Sequence, residues 1–141
     1  MEKYTYKFQR GLLEDAKVIR FEVFIDEQCF IDELEEKDDW CYHLVIYKDG
    51  YPIATSRLED LGNSNFKLSR VAIRKLYRGQ GLGSHLLNKT EEEARKLGAK
   101  TLYVDSQFDK REFYFKNDYL NAKKPIFLEE NYPHILLYKN L

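Results

Sequence analysis

Arg78-Gly79-Gln80-Gly81-Leu82-Gly83 lies between a β-patterned run and an amphipathic helix, and its reading decides the fold. Upstream, Phe66-Lys67-Leu68-Ser69-Arg70-Val71-Ala72-Ile73 is rich in apolar and β-branched residues, as a half-buried strand is. Downstream, Leu82, Leu86, Leu87, Ala94 and Leu97 recur at helical spacing, while Asn88, Lys89, Glu91, Glu92, Arg95 and Lys96 take the other face. Three alternating glycines at a helix entrance let the backbone bend closely around a ligand. They leave the first-turn N–H groups, at the positive end of the helix dipole, free for an anion. Arg74, Lys75 and Arg78 add positive charge at the same place. The physics is that of a phosphate-binding loop.

Two common phosphate motifs fail on spacing. The P-loop ends in Gly-Lys-Ser/Thr, and here Gly83 is followed by Ser84-His85. The dinucleotide fingerprint, counted from Gly79 and Gly81, puts Ser84 where the third glycine belongs. Asp105 does lie at a suitable distance downstream, so a nucleotide-dependent oxidoreductase is a rival. Too little chain follows, however, for a doubly wound sheet.

At 141 residues the chain reads as one domain over residues 1–141, with 43% hydrophobic and 33% charged residues and a net charge of −1. No global field favours nucleic acid. The N-terminus carries no targeting pattern and no apolar run reaches membrane-spanning length, so no membrane partner and a cytoplasmic location are expected. Cys29 and Cys41 read as reduced thiols, and with His43 they lack the close spacing of a metal site, so no metal is expected.

The patterns predict a strand over Tyr4 to Arg10, a helix from about Leu12 to Phe24, and a short helix with a loop in the acidic run Asp26 to Asp39. A hairpin follows over His43–Lys48 and Tyr51–Asp60, then the strand, loop and helix above, with Gly98 as helix cap. Thr101–Asp105 reads as a strand and Arg111–Asn117 as a short helix. Two strands, about Ala122–Leu128 and His134–Lys139, complete the chain. The fold class is α/β (α+β): a mixed, mostly antiparallel sheet of about seven strands with helices on both faces.

This order and loop resemble the GNAT superfamily of acetyl-CoA-dependent N-acetyltransferases. The family signature Arg/Gln-x-x-Gly-x-Gly/Ala is matched by Arg78–Gly83, after a strand ending Val71-Ala72-Ile73. Phe113-Tyr114-Phe115-Lys116-Asn117-Asp118-Tyr119 is similar to the family's Phe-Tyr-x-x-x-Gly-Phe, with Asp118 and Tyr119 in place of Gly-Phe. Arg20-Phe21-Glu22-Val23-Phe24-Ile25-Asp26-Glu27-Gln28 resembles the Arg-x-x-Val-Phe-x-x-Glu-Gln of an ElaA-like branch. Glu33-Leu34-Glu35, His43-Leu44-Val45 and Pro133-His134-Ile135 fit that branch too.

The resemblance implies acetyl-CoA as cofactor, a small-molecule or peptide amine as acceptor, and direct transfer without a covalent enzyme intermediate. It implies a diphosphate held by Arg78, Gly79, Gln80, Gly81, Leu82, Gly83 and Ser84, and a thioester carbonyl polarised by an amide among Val71, Ala72 and Ile73. Tyr114 takes the family's proton-donor position; on composition alone it reads as a packed aromatic. For the general base, Glu27, Glu33, Glu35, His43, His134 or a water remain open, with His134 and Glu35 as catalytic candidates and Glu33 and Glu35 alternatively as counter-charges. The acidic run suggests preference for a cationic amine. A homodimer is an expectation by analogy, and a catalytically silent acyl-CoA sensor is the binding-class rival.

Overall fold

Tyr4, Tyr6 and Phe8 alternate with polar residues and form β1 (Tyr4–Arg10). The protein, as a computed structural model, is described over residues 4–30 and 34–141. The first apolar helical face becomes α1 (Glu14–Arg20). Where one helix to Phe24 was expected, the chain widens into a π-helical turn, Phe21–Glu27. Its Gln28 N–H reaches back to the Val23 carbonyl at 3.2 Å. Such turns are rare and concentrate at functional segments. A single 3-10 turn, Glu36–Asp39, closes the acidic run.

The remaining elements are β2 (Tyr42–Lys48), β3 (Tyr51–Gly62), β4 (Asn65–Ile73), α2 (Leu82–Lys96), β5 (Thr101–Gln107), α3 (Arg111–Lys116), β6 (Leu120–Asn121), β7 (Phe127–Glu129) and β8 (Tyr132–Asn140). They make one eight-stranded sheet of order β1-β2-β3-β4-β5-β8-β6, with β7 also on β8. Of the strand expected over Ala122–Leu128 only the end forms, within β7, while β6 lies just before that range. Lys123 has φ 59°, and Pro125 has no N–H to give a ladder.

Helices cover both faces, as the sequence implied. On one, Ala16, Ile19 and Val23 pack on Val45, Tyr47 and Ala72. On the other, Leu82 and Leu86 pack on Leu44, Ile46 and Ile53, while Leu87 and Ala94 meet Leu68, Leu102 and Leu137.

Two irregularities in β4 position the site. Among the described residues the one parallel pairing, β4 with β5, runs from Asn65↔Thr101 to Leu68↔Val104 and stops, although both strands continue. Beyond that point they part, and a cleft opens at their carboxyl ends. On the other edge, Thr55 pairs with Ala72 but Arg57 pairs with Ser69. Two steps on β3 therefore oppose three on β4, a β-bulge, and Arg70 within it has φ 51°. The extra residue reverses the alternation. Phe66 and Leu68 face α2 before it, Val71 and Ile73 face α2 after it, and Ala72 turns to α1.

Candidate active site

Backbone conformation explains two of the three loop glycines, and packing the third. Gly79 and Gly81 have φ 78° and 75°, and a Cβ at either would meet nothing within 4 Å. Their need is conformational. A Cβ on Gly83 would instead lie 2.8 Å and 3.0 Å from atoms of the Phe113 ring. The first capping bond of α2 is His85 N–H to the Gly81 carbonyl, at 3.2 Å. Among the described residues, the N–H groups of Gly79 to Ser84 have no acceptor. This row of donors at the N-terminus of a fifteen-residue helix suits a diphosphate. Arg78 donates Nε to the Ile73 carbonyl at 2.9 Å and both Nη groups to Glu27. Those bonds hold the Glu27 carboxyl below its usual range.

The splay of β4 from β5 forms a cleft lined by Ser69 and Val71 on one side and Asp105, Ser106 and Gln107 on the other. Tyr114 enters it from α3, His134 from β8, and Glu35 from the chain before the 3-10 turn. Val71 has no register partner on either neighbouring strand.

Tyr114 is 7% exposed, held edge-on by Phe113 and Tyr119 with ring centres 5.1 and 5.6 Å away. Its hydroxyl has no hydrogen-bond partner among the described residues. Burial pushes its pKa up, so it keeps its proton and stays a donor. The turn behind it is anchored: Tyr119 donates to buried Glu91 at 2.9 Å, and Lys139 donates to the same carboxylate at 2.9 Å. Asp118, where the family pattern has glycine, takes φ 72°, a conformation that Asp tolerates better than most side chains.

His134 lies opposite Gln107 in the β5–β8 register. Its Nδ1–H donates to the Tyr132 carbonyl at 2.8 Å, so in the neutral ring the lone pair is on Nε2. The ring stacks on Phe127 at 5.8 Å.

Glu35 belongs to an ion network that sequence reading did not find. Asp38, 2% exposed, accepts from Arg20 at 2.9 and 3.0 Å, from Arg57 at 2.9 Å and from the Glu35 N–H at 2.8 Å. Burial alone would raise its pKa, but these donors hold it far below the carboxylate range. Glu35 in turn accepts from Arg57 at 3.0 Å and Arg70 at 2.8 Å. Burial again works upward, yet Arg70 and Arg57 outweigh it and lower the pKa. The acidic run is thus not a free anionic face, because Asp38 and Glu35 are neutralised from β3, β4 and α1. Nothing in their spacing signals this, since the arginines come from distant segments.

The other base candidates fall elsewhere. His43 is fully buried, donates Nε2–H to the Asp38 carbonyl at 2.9 Å, and is kept neutral by burial. Glu27 is occupied by Arg78, and Glu33 lies outside the described residues. Across the cleft mouth Gln28 accepts from Gln107 at 3.1 Å, a contact that the sequence also did not reveal. Cys29 and Cys41 are free thiols. Among the described residues no His, Cys, Asp and Glu group has metal-binding geometry, and no helix is long and apolar enough to cross a membrane.

Comparison with known proteins agrees with this geometry. Protein YyaT of Bacillus subtilis (strain 168) is 32% identical over 135 residues, covering 92% of this chain and 89% of its own. The crystal structure of a candidate N-acetyltransferase from Lactobacillus plantarum superposes with a TM-score of 0.89 at 29% identity, over 98% of each chain. Escherichia coli ElaA shares the fold, with a TM-score of 0.84 at 21% identity over 98% of this chain and 100% of that one. Residues 9–119 match the acetyltransferase (GNAT) family. With its free-amide loop, splayed strands and cleft-facing tyrosine, the chain belongs to that family and is an acyltransferase that takes acetyl-CoA.

Proposed function

We propose that this protein, as a single domain over residues 1–141 in the cytoplasm, moves the acetyl group of acetyl-CoA directly to a primary amine. The observation that carries the reading is Tyr114, a buried, protonated hydroxyl without a partner among the described residues that faces the same cleft as His134. Bound acetyl-CoA supplies the activated acyl carbon and, on transfer, a thiolate leaving group. The N–H groups of Gly79 to Ser84 hold its diphosphate, with Arg78 as the adjacent cation. Backbone at Val71 to Ile73, released from one or both ladders, offers the donor that polarises the carbonyl.

Tyr114 gives its proton at the sulfur and regains one from solvent. His134 Nε2, its tautomer fixed by the bond to Tyr132, takes the proton that the amine must lose. Glu35 suits a different role. Two arginines keep it ionised and take up its charge, so it holds Arg57 and Arg70 in the cleft wall rather than acting as a base.

The test is a melting experiment with acetyl-CoA and with NADH, followed by free-CoA release across a panel of amines. Stabilisation by acetyl-CoA alone, with amine-dependent CoA release, is expected. Stabilisation without turnover on any amine would favour a sensor. Stabilisation by NADH alone would overturn the reading.

A further inference from the structure

The cleft is asymmetric in charge once each ionised group is followed to its partner. Arg57 is fully used: Nε donates to Ser69 Oγ at 3.0 Å, and its Nη groups go to Asp38 and Glu35. Arg70 is on Glu35, Lys37 is 3.3 Å from Glu59, and Lys67 pairs with Asp105. Among the described residues the one cleft lysine without an ion pair is Lys110, which lies in the field of Arg78 and Glu27, on the loop side.

The carboxylates are not used up in the same way. Glu35 is spent, with both arginines on Oε1 and the Asp38 N–H on its side chain in the capping box of the 3-10 turn, but two others are not. On the opposite wall the β7–β8 turn brings Glu129 and Glu130 to the cleft. Glu129 has only the His134 ring, at 4.0 Å, and Glu130 has no ion pair among the described residues. A second, independent feature points to a ligand at the same place. The His134 side chain is 9% exposed, lines the cleft, and among the described residues leaves Nε2 without a hydrogen bond. Between these polar groups the wall is apolar, with Phe24 and Phe30 6.4 Å apart.

We propose that the acceptor is a short alkyl diamine: one amine reacts beside His134 while the second, as ammonium, is held by the Glu129–Glu130 turn. This rests on the amine-transferase reading and names its substrate class. An ammonium brings N–H donors to acceptors that have capacity left, and the methylene stem lies along the two phenylalanines. An acceptor with a carboxylate finds no unspent cation among the described residues in this half of the cleft. It must break the Glu35–Arg70 pair or leave its own charge unpaired.

Three four-carbon amines decide the matter: 1,4-diaminobutane, n-butylamine and 4-aminobutyrate, whose far ends are ammonium, methyl and carboxylate. Calorimetry without cofactor and CoA release with acetyl-CoA should both rank the diamine first, by about fivefold or more over butylamine, the scale of a partly exposed ion pair. 4-Aminobutyrate should be last. In the double variant Glu129→Gln/Glu130→Gln, both on an exposed turn, the ratio of diamine to butylamine should fall severalfold, as it should in high salt. Equal use of diamine and butylamine, preference for 4-aminobutyrate, a ratio unchanged in the double variant, or no binding of any of the three would each overturn the proposal. Failure to bind acetyl-CoA would instead sink the transferase reading, while the calorimetric ranking of amines still decides this one.

Discussion

Arg78 lays its two Nη groups on the two carboxylate oxygens of Glu27, at 2.8 and 2.9 Å, and so ties the π-helical turn to the phosphate loop. A diphosphate at that loop competes with Glu27 for the same guanidinium. Glu27→Gln should therefore tighten acetyl-CoA binding by up to about fivefold, since an exposed pair is worth roughly 1 kcal/mol or less. Calorimetric titration at two salt concentrations measures it, with the larger gain at low salt. Unchanged affinity at both would mean that Arg78 serves the turn alone.

Tyr114→Phe removes one oxygen and little volume. If the hydroxyl donates to the leaving sulfur, kcat should fall by about 10², the low end for general-acid assistance, with KM for acetyl-CoA nearly unchanged. Because burial raises the pKa of Tyr114, its loss of a proton should not limit activity up to the usual tyrosine range. A well-folded Phe variant with full kcat would take Tyr114 out of the mechanism.

Asp38 anchors two buried arginines, so Asp38→Asn leaves Arg20 and Arg57 under-compensated and should cost about 3–5 kcal/mol. The acid limb gives a second readout. A carboxylate whose folded pKa lies below its unfolded value contributes stability that is complete above the unfolded value and lost as pH falls toward the folded one. Wild-type stability should thus decline with acidification below about pH 4, the unfolded aspartate range, and the Asn variant should show a flatter slope there. Urea titrations at several pH values compare the two. Parallel slopes would remove Asp38 from the acid response.

Gly83→Ala tests the packing reason for the third glycine. The new methyl would overlap the Phe113 ring, and Phe113 precedes Tyr114 on α3. A loss of about 1–3 kcal/mol is expected, together with reduced kcat, because the displaced ring supports Tyr114. Gly83→Ala/Phe113→Leu, with a smaller side chain at the contact, should recover part of the stability. No recovery would place the clash elsewhere.

The parts legible in the sequence are those written in local periodicity. The helix after the loop, the hairpin, the capping Gly98 and the aromatic turn at Tyr114 all follow from neighbours in the chain. The features that organise the cleft depend on distant partners. Asp38 looks like one of a run of acids until Arg20 and Arg57 arrive from other elements. The bulge at Arg70 is set by pairing with β3, and the π-helical turn continues an apolar pattern that also fits an ordinary helix. His134 stands out in the sequence through the family-like segment Pro133-His134-Ile135, whereas the bond that orients its ring comes from the fold of the β7–β8 turn.

The reversal of alternation at Arg70 also bears on how this chain can be varied. Point substitutions along Val71 to Ile73 alter one contact each, whereas removing a single residue at the bulge would exchange the two faces of everything from there to the glycine loop. Val71 and Ile73 would turn toward α1, and Ala72 toward α2. Mutational libraries over this segment should therefore tolerate many replacements and almost no change of length. A shortened relative that keeps the activity would need a second deletion nearby to restore the phase.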